Sequence, residues 1–482
     1  MVNAAPHQPP RHCEEVGRCL PKVSSRKQHD TSGCPPAYAA TSRTKTMDEP
    51  SRSRRISVNG AIALGVGSMV GAGIFALMGE AAARAGSAVW LSFLVAGIIA
   101  LLTGHSFAQL GVRYPSRGGV VEYLVKAYGP GLFSGGCSIL FYIAQLIGMA
   151  MIALAFGKFS AKLLSLGEAD LLLWERLLGS ALIVTLAALN LVGAKFVSSA
   201  QRLVVLANLA VLALFTVALS MRADVARLAV ETWPAARPIL GSLGLTFFAF
   251  TGFAVVSNAA GDMDNPTRDL PRAMYSTIAI VLALYVALAL AVTTTVDGQE
   301  LTSSGATLLV IVARHNFGEI GFHILLLSAI LATVTCLNGG FFGATSITYT
   351  LAENGQLPSR FGQKIGMSSR GLTISALLAL LMVNFLTLTT VASLGSATSL
   401  LVYSLVNFGA WRLLKGGGWH RFAILLSIVA CVLAISVWCF DTFQTSPGSF
   451  SIFLSFLVIA FAAEGLLQRY HGRRILAQEH WD

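Results

Sequence analysis

Twelve stretches of this chain are apolar and nearly free of charge over the length of a bilayer crossing. They fall at about 57–78, 87–111, 132–156, 177–194, 201–221, 239–260, 274–296, 322–350, 371–388, 391–411, 421–440 and 450–468. About 20 apolar residues in a helix match the hydrocarbon thickness of a membrane. Lipid offers no partner to a backbone N–H or C=O, so a spanning segment must satisfy its own polar groups as a helix or within a closed barrel. Continuous runs of this length predict helices. The fold class that follows is an all-α polytopic membrane protein with twelve transmembrane helices. Composition agrees: 55% of residues are hydrophobic and only 12% charged, against about 25% charged in a soluble domain. That balance excludes a secreted enzyme and a nucleic-acid binder.

The net charge of +11 is informative by location. Residues 1–55 are polar and rich in Pro, Ser, Arg and Lys. They read as a disordered basic cytoplasmic tail without the apolar run of a signal peptide, and Met47 offers an alternative start. Arg52, Arg54 and Arg55 abut the first span and hold that end inside. With twelve spans and an inner N-terminus, the inner connections carry 13 Lys and Arg and the outer ones 8, which favours this orientation by the positive-inside rule. Both termini, including the tail 471–482, are then cytoplasmic, and the loops at 157–176 and 297–321 face outward. The localisation that follows is the cytoplasmic membrane, with the lipid bilayer as partner and no nucleic acid.

The first span contains Gly65-Val66-Gly67-Ser68-Met69-Val70-Gly71-Ala72-Gly73-Ile74-Phe75. Glycine weakens a helix interior and leaves the backbone open. Two readings follow. Small residues let helices approach closely. Alternatively the helix is broken, and its freed N–H and C=O groups meet a zwitterionic solute at the membrane midplane. The sixth span repeats the oddity in Thr246-Phe247-Phe248-Ala249-Phe250-Thr251-Gly252-Phe253. An offset of five spans makes equivalent helices antiparallel, the mark of an inverted repeat with broken helices 1 and 6 facing each other. The expected layout is a first five-helix repeat over 56–221, a second, inverted one over 238–412, and two peripheral helices over 419–470.

The seven cysteines, Cys13, Cys19, Cys34, Cys137, Cys336, Cys431 and Cys439, form no CxxC pair. They read as small packing residues rather than as a metal site or a disulfide framework. No ATP-binding loop of the G-x-x-x-x-G-K-[ST] form occurs.

Three connecting stretches carry motifs: Arg113-Tyr114-Pro115-Ser116-Arg117-Gly118-Gly119-Val120-Val121-Glu122-Tyr123-Leu124, Asp264-Asn265-Pro266-Thr267-Arg268-Asp269-Leu270-Pro271-Arg272-Ala273 and Ala352-Glu353-Asn354-Gly355-Gln356-Leu357-Pro358. Together with Gly71-Ala72-Gly73-Ile74-Phe75, in this order and topology, they resemble the amino acid–polyamine–organocation (APC) superfamily over about residues 56–412. The chain is similar to prokaryotic, broad-range, proton-coupled amino acid permeases, a family similar in fold to LeuT, and the resemblance implies a five-plus-five inverted repeat. The resemblance implies roles. The backbone of Gly71, Ala72 and Gly73, with Ser68 nearby, would take the substrate α-carboxylate. The carbonyls of Ala249, Phe250 and Thr251 would take the α-ammonium, and Phe248, Phe250 and Phe253 would wall or gate the pocket. No acidic residue occurs in 239–260, which disfavours a polyamine or arginine specialist.

The chain departs from the family pattern at Gly261-Asp262, where an acidic pair is usual, and at Val120 and Val121 among expected aromatics. It departs again at Asn208, where some proton-coupled relatives carry a lysine. An amide does not titrate, so this residue does not carry the proton. His105 in the second span is then the candidate titrating group. Tyr142, Gln145, Thr335 and Asn338 are candidate pocket-lining residues; each reads equally as an interhelical hydrogen-bonding group, as does Thr333.

The function read from the sequence is secondary active transport of small, mostly neutral amino acids by alternating access, with the amino acid as partner and the proton as a candidate second one. An exchanger or uniporter without proton coupling is the alternative, and a non-transporting membrane amino acid sensor the further one. No paired carboxylates, metal cluster or nucleophile–base set stands at membrane depth. The chain is read as a transporter without cofactor or metal and not as an enzyme.

Overall fold

The structure is a computed structural model, and it describes residues 56–166, 170–192, 195–365, 368–415 and 417–471. The readings made for the tail 1–55, Met47, Cys13, Cys19, Cys34 and residues 472–482 lie outside the described residues.

The described chain is helical apart from one two-residue antiparallel pair, Lys364–Ile365 with Ser368–Ser369. Its helices are α1 (Val58–Ala85), α2 (Val89–Arg113), α3 (Val120–Tyr128), α4 (Leu132–Leu163), α5 (Leu171–Val192), α6 (Lys195–Ser220), α7 (Ala236–Phe248), α8 (Ala254–Asn258), α9 (Pro266–Thr295), α10 (Gly298–Ser303), α11 (Leu308–Glu353), α12 (Arg370–Phe385), α13 (Leu388–Leu413), α14 (Trp419–Thr445) and α15 (Pro447–His471). Among the described residues, ten helical segments are long and apolar enough to cross a membrane. One of them, Val58–Arg113, holds both α1 and α2. The shorter α12 is also apolar. The protein is therefore a multi-pass membrane protein.

Burial grades the helices from centre to edge. In the most apolar windows, 83% of α13 and 78% of α4 are buried inside the protein, against 33% of α14 and 17% of α15. The last two helices leave apolar surface such as Phe443, Val458 and Leu466 exposed, as lipid-facing surface requires. α1 packs against α7, α9 and α11 at the centre.

One expectation is overturned here. α1 runs as a single helix of 28 residues, with no break at its glycines. The reason is close packing. A Cβ on Gly65 would run into Val256 and Thr277. One on Gly67 would meet Val205, and one on Gly71 would meet Cys336 and the Ala332 carbonyl. The glycines let neighbouring helices reach the α1 backbone rather than opening it. The sixth segment differs. α7 stops at Phe248, a 3-10 turn covers Thr251–Phe253, and α8 resumes at Ala254. α11 is also interrupted, at Gly318, whose φ of +66° ends the first part of the helix before the long buried part begins.

At one end of the bundle the loop after α2 locks onto the end of α8. Arg117 donates to one carboxylate oxygen of Asp262 from Nε at 2.9 Å and from a terminal nitrogen at 2.7 Å. The Ile56 amide donates to the Asp262 carbonyl at 2.9 Å. Gly119, at φ +47°, passes close to Ser257 and Asn258 and leads into the buried helix α3. Both the positive φ and the lack of space require glycine there. The departure at Gly261-Asp262 thus has a structural counterpart: Asp262 is the partner of Arg117.

Candidate functional site

The interruption between α7 and α8 frees backbone groups, and neighbouring helices take them up. The Tyr403 hydroxyl of α13 donates to the Thr251 carbonyl at 2.9 Å. The Thr251 hydroxyl donates to the Phe248 carbonyl at 2.8 Å. Across the gap, the Tyr285 hydroxyl of α9 donates to the Met69 carbonyl in α1 at 2.8 Å. The Cys336 thiol of α11 donates to the Ser68 carbonyl at 3.0 Å. A Cβ on Gly73 would sit 2.8 Å from the Ala249 carbonyl, so α1 and the end of α7 meet nearly backbone to backbone.

Beside this meeting point lies a cavity of about 70 Å³, room for roughly five to seven water positions. α1 contributes Ser68, Met69 and Gly73, and the interrupted segment contributes Phe248, Ala249, Thr251, Gly252 and Val255. α11 adds Cys336 and Gly340; α13 adds Ser399 and Tyr403. The largest wall is α4, with Phe141, Ala144, Gln145, Gly148, Met151 and Ile152. The amide nitrogen of Gln145 donates to the Gly340 carbonyl at 3.3 Å and so stays at the wall. Among the described residues, no Asp, Glu, Lys, Arg or His lines the cavity. What the site offers is backbone carbonyls, the four hydroxyls of Ser68, Thr251, Ser399 and Tyr403, the Cys336 thiol, the Gln145 amide and apolar surface.

Of the residues singled out from the sequence, the structure brings Ser68, Gly73, Ala249, Thr251, Phe248 and Gln145 to this cavity. It places the others elsewhere. Gly71 packs on α11. Ala72 lies in α1. Phe250 is fully buried against Tyr285, and Phe253 against Phe107 and Tyr403. Tyr142 hydrogen-bonds Ser375 at 2.8 Å. Thr335 turns back to the Ala332 carbonyl at 2.9 Å, and Thr333 to Ile330 at 2.7 Å. Asn338 donates to Gln201 at 2.9 Å and accepts from Asn190 at 3.1 Å, which ties α11 to α5 and α6.

The two coupling candidates are also off the cavity. Asn208 stands 2.9 Å from the Ser328 hydroxyl, bridging α6 and α11. His105 lies between Tyr275 (2.7 Å from Nδ1) and His420 (3.2 Å from Nε2), on the flank shared with α14.

The residues that sequence reasoning missed are mainly the α4 wall and Cys336. The wall positions follow one helical face, at spacings of three and four from Phe141 to Ile152. A search for polar residues alone passes over that face. Cys336, read as a packing residue, is a wall of the cavity.

Residues 56–464 match a family profile described as Amino acid permease. The chain belongs to this amino acid permease family of the APC superfamily. It is 32% identical to the inner membrane transport protein YbaT of Escherichia coli, over 73% of this chain and 82% of that protein. It is 28% identical to the serine/threonine exchanger SteT of Bacillus subtilis, over 63% of this chain and 69% of that protein. It is 29% identical to the chloroplastic cationic amino acid transporter 9 of Arabidopsis thaliana, over 68% of this chain and 60% of that protein. Membership of the permease family supports amino acid transport as the protein's activity.

Proposed function

We propose that this permease moves small neutral amino acids across the cytoplasmic membrane by alternating access. Its twelve spans would be α1, α2, α4, α5, α6, the α7–α8 pair, α9, α11, α12, α13, α14 and α15. They would form inverted repeats over 56–221 and 238–412, with α14 and α15 outside them and both termini cytoplasmic. The observation that carries the substrate class is the lining of the cavity, in which no described side chain is charged. An ionised substrate side chain would enter it without a counter-ion, at the cost of burying an unpaired charge. The zwitterionic ends are different, because dipoles of the backbone can meet them. In this reading the Ala249 and Thr251 carbonyls would receive the ammonium, and the α1 side of the cavity at Ser68 and Gly73 would face the carboxylate. The small volume favours a side chain of a few heavy atoms. Alternating access would then require the Arg117–Asp262 and Ile56–Asp262 bonds to break when the cavity opens toward that end.

A second reading, exchange without proton coupling, is favoured by Asn208 and by a cavity lining in which no described Asp, Glu, His, Lys or Arg stands. A relative named as a serine/threonine exchanger is consistent with it. Purified protein in proteoliposomes, offered labelled amino acids with and without a pH gradient and with and without internal amino acid, separates the two. Uptake that needs internal amino acid is exchange; uptake driven by the gradient alone is symport. Uptake of lysine or arginine in preference to serine or alanine would overturn the neutral class, and ligand binding without flux would indicate a sensor.

A further inference from the structure

A second cavity, of about 260 Å³, opens at the end of α2 and the α13–α14 turn. Gln109 and Arg113 of α2 line one side. Lys415 of the turn and His420 and Arg421 of α14 line the other, above Leu414 and Ile424. Among the described residues, the lining carries three permanent cations and no carboxylate. Among the described residues none of the three cations is in an ion pair. The two arginines lie over aromatic rings instead: the Arg421 guanidinium is 4.4 Å from the centroid of Trp411, and that of Arg113 is 5.8 Å from that of Tyr114. His420 is held by stacking on His105, ring centroids 5.2 Å apart. Gly418, at φ +67°, makes the sharp entry into α14 that places His420 and Arg421 beside Lys415.

Like charges converging on one cavity repel each other, and a bound anion relieves that repulsion. Guanidinium forks match the oxygens of a phosphate. The surroundings point to where the phosphate comes from. Trp419 and Phe422 stand exposed at this end of α14, and Leu425, Leu426 and Val429 continue an exposed apolar lane along the same helix into the membrane region. Basic pockets beside membrane helices are sites for anionic headgroups, and aromatic side chains sit at headgroup depth.

We propose that this cavity binds the phosphate of an anionic phospholipid headgroup, with the acyl chains lying along the exposed face of α14. The shared chemistry is a phosphate oxyanion held by Arg113, Lys415 and Arg421, and a soluble phosphate is the other source. Under the orientation proposed above, this is the cytoplasmic leaflet; the binding itself does not depend on that orientation or on the substrate.

The test is thermal stability in mixed micelles, a readout without sidedness. Added phosphatidylglycerol should raise the wild-type Tm by about 3 °C over added phosphatidylcholine, because a ligand of the folded state stabilises it. The shift should vanish in R113Q/K415Q/R421Q and persist in R202Q/R268Q, which removes the same kind of charge elsewhere. Lys415 is exposed, so K415Q alone supplies a variant that folds, and it should lessen the shift. Inorganic phosphate at millimolar concentration should leave the Tm unmoved; if it reproduces the lipid effect, the anion site stands and its occupant is soluble. An undiminished lipid shift in both K415Q and the triple variant, or its equal loss in R202Q/R268Q, overturns the site.

Discussion

The Tyr403 hydroxyl donates a 2.9 Å hydrogen bond to the Thr251 carbonyl, so α13 holds the turn that interrupts the α7–α8 segment. Tyr403 also packs edge-on against Phe107, 5.1 Å between ring centroids, and lines the cavity. Tyr403→Phe keeps the ring and removes the donor. A buried carbonyl left without its partner costs about 1–3 kcal/mol. The expected result is a folded protein with five- to thirty-fold weaker transport efficiency, which corresponds to roughly 1–2 kcal/mol. Wild-type uptake kinetics in this variant would show that the turn needs no such support.

Two glycines of α1, close in sequence, should behave differently. A Cβ on Gly71 collides with α11 backbone and the Cys336 side chain, away from the cavity. Gly71→Ala should therefore lower the yield and the Tm of the protein, an overpacking effect of about 1–3 kcal/mol. Gly73 faces the cavity and the Ala249 carbonyl. Gly73→Ala should abolish uptake, and amino acid should no longer raise the Tm of the purified variant. Retained substrate stabilisation in Gly73→Ala would move the binding site away from α1.

Cys336 gives the cavity a chemical handle. Its thiol lines the wall beside Ser68. A small methanethiosulfonate reagent should block uptake, and a transported amino acid present during the reaction should slow the block. Cys336→Ser should transport and resist the reagent. Equal inactivation of wild type and Cys336→Ser would mean that another cysteine is responsible.

Burial raises the Glu122 carboxyl in α3 above its ordinary range, opposed in part by Lys126, 3.9 Å away. A carboxyl whose folded-state pKa is raised contributes stability that is complete below its unfolded pKa and is lost as pH rises through the folded one. Glu122→Gln does not ionise. Its Tm relative to wild type should therefore climb as pH rises above the ordinary carboxylate range. A difference that stays flat with pH would mean that the wild-type carboxyl costs the fold nothing on ionising.

Much of this architecture is legible in the sequence, because lipid imposes a simple rule: long uncharged runs become helices. The interruption of the sixth segment is legible too, since Gly252 sits among β-branched and aromatic residues that favour a helix less. The same reasoning misjudged α1. Glycines that open a backbone and glycines that admit a neighbour look identical along one strand of sequence. Only the positions of Cys336, Val205 and Thr277 tell them apart. The cavity lining was half visible for a related reason. Ser68, Gly73, Ala249 and Thr251 are marked by motif, whereas the α4 wall from Phe141 to Ile152 is ordinary membrane helix until α1 and α7 are placed against it. Polar residues misled in the other direction: Asn338, Thr335 and Tyr142 spend their hydrogen bonds on neighbouring helices.

Asn208 bears on coupling. It bridges α6 to Ser328 of α11, and the same stretch of α11 presents the Ala332 carbonyl to Gly71 in α1. The position therefore touches α11, which lines the cavity, and stands one contact removed from α1. Asn208→Lys would bring a titratable amine into the membrane interior, where an uncompensated charge is costly and its protonation state matters to packing. Uptake by the folded variant should depend on pH more steeply than that of wild type. His105 serves as the contrast, because it sits off the cavity between Tyr275 and His420. His105→Gln keeps a polar side chain and should leave the pH profile of uptake unchanged. The outcome that sinks this assignment is an Asn208→Lys protein with unaltered pH dependence beside a His105→Gln protein that has lost it; coupling would then run through the α2 flank rather than through the α6–α11 contact.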